Sequence, residues 1–481
     1  MTHDEILARL GRLRAADAPT HGGRVLSYVY DAGRADLDEL AAEAVRAVQP
    51  VNGLDPTTFT SVATLEREVI GFVRDLLHGD DDVVGSVTTG GTESCLLAVK
   101  TARDIWLTQR GLEPGVVRPR MLAPVTAHAA FQKAAHYFGL QLDLVPVEAD
   151  GRVVPARLAE LLADDVALVV VSAPSYPFAA LDPVAEAAAL CREHSVPLHV
   201  DACIGGLVLP FWPGLPAWDF RVDGVTSISS DLHKFGYAPK GVSVLLQRGR
   251  DRQRAQFFAT TRWPGYPVVN PTILGSKSAG PLAAAWAIVH ALGSEGFGEL
   301  AESCLRSTTA LRTAIDGIEG LRVVGDPVGP LLAVAADQSV EPGRRVDPHH
   351  WADAARASGW VLQLQPGVSG MPPTTHLTIT PVTEAALPEL IPALVSAADA
   401  VRGVPHVDPA EVLAGLPALD GGLDSQTAWA LLQGFGIGAP AAGTTDPLPG
   451  QLAPLLALIE VLPPPIAERL LTELIGRLAE P

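Results

Sequence analysis

The chain has 481 residues, of which 48% are hydrophobic and 19% are charged, which predicts a large buried core divided between two domains with appended segments. Its formal net charge of −19 argues against nucleic acid as a main partner, because a polyanion would be repelled before any specific contact formed. The N-terminus lacks the order of a signal peptide and no apolar run is long enough for a membrane span, so we expect a cytoplasmic protein.

The four cysteines lie far apart in the sequence, and no two of them have the CxxC spacing. They are Cys95, Cys191, Cys203 and Cys304. Neither a zinc cluster nor a disulfide framework is predicted from this spacing. We expect reduced, buried thiols and no metal site.

The N-terminal part of the chain predicts an arm followed by a large domain. Residues 1–60 are expected to form an arm with one helix, from Asp36 to Val48, between turns that carry Gly and Pro. Residues 61–300 alternate helical stretches with short apolar runs, which predicts an α/β domain with a mainly parallel sheet. The runs are MLAPVT, LDLVPV, ALVVVSAP, VPLHVDA, GVTSIS and GVSVLLQ.

The remainder predicts a smaller domain and an extension. After a helix that begins PLAAAWAIVHALG, residues 301–405 alternate further strand-like runs with helices, which predicts a small α+β domain. Those runs are LRVVG, LLAVAAD, WVLQLQ and THLTITPVT. Residues 406–481 predict a helical C-terminal extension that a Pro-, Gly- and Ala-rich segment interrupts.

A lysine and an aspartate occupy the ends of predicted strands. Lys234 lies on the turn between GVTSIS and GVSVLLQ, where a lysine alone would usually be a surface charge. Asp201 ends VPLHVDA, and a carboxylate at the carboxyl end of a buried parallel strand faces the ligand crevice of an open sheet. It could cap the next helix, or pair with the pyridinium nitrogen of pyridoxal 5'-phosphate (PLP).

Two further stretches follow predicted strands. In SVTTGGTESC a glycine turn enters a helix near Thr92, which predicts a phosphate cradle unless it is an ordinary turn. The stretch lacks the Lys-Ser/Thr of a P-loop and the GxGxxG of a dinucleotide fold. His128, after MLAPVT, could stack on a pyridine ring or serve as a hydrogen-bonded structural group. Four such elements in this order favour a PLP site.

The motifs GGTES, TAHAAF, HVDACIGG, SISSDLHKFGYAPKG and NPTILGSKSAG together resemble the sphingosine-1-phosphate lyase branch of the group II PLP decarboxylase family. The resemblance covers roughly residues 28–297. It implies the PLP-dependent transferase fold type I, as in aspartate aminotransferase, and a homodimer whose active sites lie at the subunit interface.

The resemblance also implies a role for each matching residue. Lys234 matches the lysine that forms the Schiff base, Asp201 the partner of the pyridinium nitrogen and His128 the residue stacked on the ring. The phosphate contacts match Gly91, Thr92 and His233 in the same chain, and Ser276 from the neighbouring subunit.

Two substrate-binding residues are implied in the same way. Tyr30 matches a tyrosine in an SGAVY-like stretch, and Lys240 matches a lysine six residues beyond the Schiff-base lysine. Both would hold a substrate phosphate and assist proton transfer. The alternatives are an interface aromatic for Tyr30 and a surface lysine for Lys240.

Departures from the family pattern concern the substrate. Asp55 replaces a histidine, Val268 and Asn270 replace Tyr and Ser, and Lys277-Ser278 replaces Arg-Pro. A carboxylate at residue 55 would repel a phosphate, which argues against a phosphorylated sphingoid base as the natural substrate.

These observations predict a PLP-dependent carbon–carbon lyase that acts on a small-molecule amine or amino acid. Retro-aldol cleavage of a β-hydroxy amine is placed slightly ahead of L-amino acid decarboxylation, because the matching motifs belong to the lyase branch. A catalytically inactive PLP-binding or interaction protein is the third alternative.

Overall fold

The computed structural model describes residues 1–408, 423–434, 436–438 and 450–480. Its large domain is built on a seven-stranded sheet. Its order is β1-β7-β6-β5-β4-β2-β3. The strands are β1 (Val83–Thr88), β2 (Arg120–Pro124), β3 (Gln141–Val145), β4 (Val166–Ser172), β5 (Leu198–Asp201), β6 (Val225–Ser230) and β7 (Ser243–Arg248). β2 to β6 pair in parallel, whereas β7 is antiparallel to both of its neighbours. The predicted α/β domain with a mainly parallel sheet is confirmed.

Helices cover both faces of this sheet because its central strands are apolar on both sides, and every residue of β4 is buried. The helices up to the small domain are α1 (His3–Arg14), α2 (Ala35–Ala47), α3 (Thr60–Leu76), α4 (Gly91–Gln109), α5 (Ala130–Phe138), α6 (Pro155–Leu161), α7 (Val184–Glu193), α8 (Arg250–Gln256) and α9 (Gly280–Asp316). A hairpin of β8 (Phe258–Thr260) and β9 (Val268–Asn270), which was not predicted, lies between α8 and α9.

The expectation of one helix in the N-terminal arm was wrong, because α1 precedes α2. A capping box starts α1: Thr2 Oγ1 accepts a hydrogen bond from the Glu5 amide at 3.2 Å, and the Glu5 carboxylate accepts one from the Thr2 amide at 2.6 Å. No residue of α1 is buried, so local capping rather than packing in this chain defines the helix.

The small domain contains a second, antiparallel sheet in the order β10-β11-β13-β12. Its elements are β10 (Leu321–Val323), β11 (Leu331–Ala336), α10 (Pro348–Ala357), β12 (Gln363–Gln365), β13 (Thr374–Thr378) and α11 (Thr383–Val401). The predicted α+β architecture is confirmed. α9 crosses between the domains, since Cys304 packs in the core of the large domain and Leu311 in that of the small domain. The proposed boundary at residue 300 stays a prediction.

Three helices of the C-terminal part are described: α12 (Ser425–Gly434), α13 (Ala453–Val461) and α14 (Pro464–Ala479). Asp353 of α10 accepts hydrogen bonds from the amides of Leu452 and Ala453 at 2.9 Å, which caps α13 on the small domain. The predicted Pro-, Gly- and Ala-rich interruption lies largely in 439–449, outside the described residues. No helix in the described ranges combines the length and apolarity needed to cross a bilayer.

Candidate active site

The directions of the strands gather the predicted site residues at one edge of the large sheet. β1, β2, β4, β5 and β6 end at this edge, and the reversed strand β7 begins there. A cavity of about 680 Å³ lies at the edge. Seven predicted residues line it: Gly91, Thr92, His128, Asp201, His233, Lys234 and Lys240. Tyr30 and Ser276 lie outside this lining.

A buried ion pair fixes Lys234 in the cavity. Its Nζ lies 3.1 Å from Oδ2 of Asp231, and the exposed fractions of the two side chains are 21% and 1%. Burial alone would lower the pKa of Lys234, but the Asp231 carboxylate raises it well above its usual value. Burial would likewise raise the pKa of Asp231, but the charge of Lys234 holds it well below its usual range. Both groups are therefore charged, and Asp231 is a site residue that sequence reasoning missed, although it stands in the SDLHK motif.

Asp201 offers one carboxylate oxygen to the cavity. Its Oδ1 accepts hydrogen bonds from the Cys203 amide at 3.0 Å and from the Ser229 hydroxyl at 3.4 Å, whereas Oδ2 accepts none from the described residues. Ser229 also contacts Nε2 of His199 at 3.2 Å. Burial lowers the pKa of His199 to about 4, so this imidazole is neutral and does not compete for the charge of Asp201.

The start of α4 gives the cavity its free amide groups. The first hydrogen bond to the helix start joins the Ser94 amide to the Gly90 carbonyl, so the amides at residues 91–93 have no partner within the helix. Gly90 has φ 152°, and a Cβ on Gly91 would lie 2.6 Å from Oδ2 of Asp231. Glycine is therefore required at both positions, which favours the phosphate cradle over an ordinary turn.

Glu93 ties this helix start to a distant loop, and sequence reasoning missed it. Its carboxylate accepts hydrogen bonds from the Thr89 amide at 2.6 Å and from the Ile273 amide at 2.7 Å. Residues 89 and 273 both line the cavity. The sequence shows a Glu in the first turn of the predicted helix. It does not indicate the amide that binds this Glu, which lies 180 residues away.

The two predicted histidines are held by local hydrogen bonds. Nδ1 of His128 accepts from the Ala130 amide at 3.1 Å, which orients an exposed ring at the cavity. Nδ1 of His233 accepts from the Val242 amide at 3.3 Å, and its Nε2 lies 3.4 Å from Asp231 Oδ2. Ring stacking by His128 and phosphate binding by His233 stay predictions.

Lys240 and Tyr30 are adjacent, as their expected shared role requires. Lys240 Nζ lies 4.5 Å from the centre of the Tyr30 ring and donates a hydrogen bond to the His233 carbonyl at 2.8 Å. Burial and the charge of Lys234 lower the pKa of Lys240 to about 8. Burial raises the pKa of Tyr30 to about 12, so the phenol keeps its proton near neutral pH.

Ser276 and Asp55 lie away from the cavity of their own chain. Ser276 is exposed, and its hydroxyl accepts a hydrogen bond from Asn52 Nδ2 at 3.4 Å; its contribution to a neighbouring subunit stays a prediction. Asp55 accepts hydrogen bonds from the hydroxyls of Thr57 at 2.6 Å and Thr58 at 2.7 Å, which hold its pKa well below the usual range. Asp55 therefore stabilises a turn.

The cavity fits PLP by the chemistry of its donor set. Within the part of the chain that the structure describes, it offers a lysine amine at Lys234, a carboxylate oxygen of Asp201 that accepts no hydrogen bond, and helix amides without a partner beside two glycines. The missing Cβ atoms leave the amides accessible to a phosphate. These are the groups that would hold the cofactor's aldehyde carbon, its ring nitrogen and its phosphate.

We expect Asp231→Asn to lower the pKa of Lys234, because the substitution removes the charge that stabilises the ammonium form. In the cofactor-free chain, Lys234 of the variant should then react faster with trinitrobenzenesulfonate near pH 8. The rate should rise by about tenfold for each unit by which the pKa of Lys234 falls, because only the neutral amine reacts. Peptide mapping would follow this modification. Asp223→Asn, which changes a surface ion pair with Arg192, is the matched control, and equal rates for both variants would contradict the account.

Comparison with known proteins agrees with the site. Residues 26–333 match the family model of the pyridoxal-dependent decarboxylase conserved domain, and residues 410–477 match a model whose description names a C-terminal HTH domain of pyridoxal-dependent enzymes. Sphingosine-1-phosphate lyase 1 of Mus musculus is 35% identical over 361 residues, which cover 74% of this chain and 61% of the mouse protein. The chain thus spans less than two thirds of that relative. The sphingosine-1-phosphate lyase of Oryza sativa subsp. japonica is 34% identical over a match that covers 84% of this chain and 74% of the rice protein.

Solved structures share the fold. The sphingosine-1-phosphate lyase of Burkholderia pseudomallei K96243 is 31% identical, with a TM-score of 0.78 over 86% of this chain and 93% of its own. The glutamate decarboxylase of Lactobacillus brevis CGMCC 1306 is 20% identical, with a TM-score of 0.73 over 85% of this chain and 94% of the decarboxylase chain. At this identity the likeness supports the fold alone. The expected PLP-dependent transferase fold type I is confirmed. The family model of the pyridoxal-dependent decarboxylase conserved domain matches more than half of this chain. The chain therefore belongs to the pyridoxal-dependent decarboxylase family.

Proposed function

We propose that this chain is a PLP-dependent carbon–carbon lyase that cleaves a β-hydroxy amine by a retro-aldol reaction. Its substrate would be a phosphorylated long-chain amine, as the names of its relatives indicate. The observation that carries the proposal is the place of Lys240, which lies against Tyr30 and whose pKa is lowered by burial and by the nearby charge of Lys234.

The residues around the cavity divide the work of holding the cofactor and the substrate. Bound PLP supplies an electron-withdrawing ring for the substrate carbon that carries the amine. Asp201 would keep the ring nitrogen protonated with its free oxygen, the amides at the start of α4 would bind the phosphate, and His128 would cover one face of the ring. Asp231 keeps Lys234 at the floor of the cavity.

A retro-aldol cleavage needs a base, whereas loss of carbon dioxide from a carboxylate does not. The base takes the proton of the β-hydroxyl group, the adjacent carbon–carbon bond breaks and an aldehyde leaves. The electrons of that bond stay on the carbon that carries the amine, which is then protonated. With a pKa of about 8, Lys240 has a neutral fraction near physiological pH and can serve as this base, while Tyr30 remains a proton donor.

The lining of the cavity suits a long-chain phosphate ester. Lys133 supplies positive charge, and Phe138 and Leu274 supply apolar surface. Asp55, whose charge argued against a phosphate, accepts hydrogen bonds from its own turn and does not line the cavity of its own chain.

The reaction can be tested by product analysis of the PLP-loaded chain. With sphingosine-1-phosphate we expect a long-chain aldehyde and a phosphorylated two-carbon amine without carbon dioxide; sphingosine is the matched substrate without the phosphate. Carbon dioxide released from L-amino acids without any aldehyde would contradict the proposal and favour a decarboxylase. Turnover of no amine at all would favour the inactive PLP-binding alternative.

The same assay tests Lys240. If its neutral amine is the base, kcat of the unmodified chain should rise with pH through about 8 and then level off. Lys240→Arg keeps the positive charge but removes the basic amine, because a guanidinium stays protonated. In this variant kcat should fall by about 10²–10⁴-fold. Lys100→Arg, at an ion pair with Asp104 outside the cavity, should keep the rate. An unchanged kcat and pH profile in Lys240→Arg would exclude this role.

We infer that the chain forms a homodimer with shared active sites. Ser276 is exposed in its own chain, and the surrounding segment exposes Trp263, Tyr266, Ile273 and Leu274, an apolar surface of the kind that marks interfaces. Sedimentation equilibrium should return twice the chain mass of 50.4 kDa. A fully active monomer would contradict this inference.

A further inference from the structure

A second group of ionisable side chains lies outside the active site, where the C-terminal helices meet the small domain. Asp347 precedes α10 and His349 lies in its first turn. His406 follows α11, and Glu460 lies near the end of α13. Three segments that are distant in sequence therefore converge on one point, and the proposed lyase reaction uses none of them.

Hydrogen bonds join these side chains into one network. Nδ1 of His406 lies 2.7 Å from Oδ2 of Asp347, and its Nε2 lies 3.1 Å from Oε2 of Glu460. The other oxygen of Asp347 accepts hydrogen bonds from the amides of His349 and His350 at the start of α10. Asp347 is thus positioned by the helix it caps, and His406 by two carboxylates on opposite sides of its ring.

His349 has the tautomer of a metal ligand. Its side chain is completely buried, and Nε2 lies 2.8 Å from the carbonyl oxygen of Gln365. Since a carbonyl only accepts, Nε2 carries the proton and Nδ1 carries the lone pair. Nδ1 is buried and has no hydrogen-bond partner among the described residues. A buried histidine that donates one nitrogen to a backbone carbonyl and keeps the other free matches the usual arrangement of a metal-binding imidazole.

From this geometry we propose that Asp347, His349 and His406 bind a divalent transition-metal ion, with Zn²⁺ the best match to the donor set. One ligand atom from each residue lies within 4.8 Å of the others, and two imidazole nitrogens with one carboxylate oxygen are typical zinc ligands. Zinc–ligand bonds of about 2.0–2.1 Å place tetrahedral ligands about 3.3 Å apart. The His406–Asp347 pair, at 2.7 Å, therefore opens by about half an ångström when the ion enters.

Glu460 acts as the outer partner of this site. When Nδ1 of His406 binds the ion, Nε2 keeps its proton and donates a hydrogen bond to Glu460. Carboxylate–histidine pairs of this kind orient metal ligands. The positive charge of the ion also offsets the two carboxylates. Because Glu460 belongs to α13, the ion fastens the C-terminal helices to the small domain.

Zinc titration of the chelator-treated, PLP-loaded chain tests the site without reference to activity. Isothermal titration and elemental analysis should give one zinc ion per chain. His349→Gln and His406→Gln should each abolish this equivalent, whereas Glu460→Gln should weaken it by about 10–100-fold. His350→Gln removes a neighbouring imidazole that does not belong to the group, and it should leave the affinity unchanged.

Cobalt substitution provides a second readout that does not depend on a buried variant folding. The unmodified chain should show the visible absorption of tetrahedral Co²⁺, and Zn²⁺ should displace it. Zinc binding that survives both His349→Gln and His406→Gln would overturn the proposal and direct attention to Cys95, Asp201 and Cys203, which also lie within ligand distance of one another. Absence of zinc and cobalt binding to the unmodified chain would also overturn it.

Discussion

The reversed direction of β7 is the constraint on which the active site depends. In a fully parallel sheet the connection after β6 would return to the opposite edge before the next strand began. Because β7 runs antiparallel to β6, a short turn connects them, and both ends of this turn remain at the edge where the other strands end. Lys234 and Lys240 therefore reach the same cavity from a single connection.

The charges of this turn depend on one another. Asp231 keeps Lys234 charged although both side chains are largely withdrawn from water, and breaking such a pair costs about 3–5 kcal/mol when it is fully buried. Burial and the charge of Lys234 together lower the pKa of Lys240 to about 8. Asp231 thus holds Lys234 in place at the cavity, whereas burial and the charge of Lys234 allow Lys240 to exchange protons near pH 8.

Local patterns predicted most of the fold and the placement of many site residues. Gly91, His128 and Lys234 each follow an apolar run, and Asp201 ends one, so their meeting at one sheet edge follows from the directions of the strands. Glu93 could not be predicted, because its partner amide lies in a loop 180 residues away. Asp347, His406 and Glu460 were missed for the same reason: only tertiary folding brings them together. α1 was missed, and none of its residues is buried in this chain.

Covalent attachment of PLP to Lys234 is the central claim, and borohydride reduction tests it most directly. The purified chain loaded with PLP should show a visible absorbance band that disappears on reduction. The account predicts that peptide mapping then finds the reduced cofactor on the peptide that carries Lys234. Recovery of the cofactor on another lysine, such as Lys240, or a PLP-replete chain without any adduct, would contradict it.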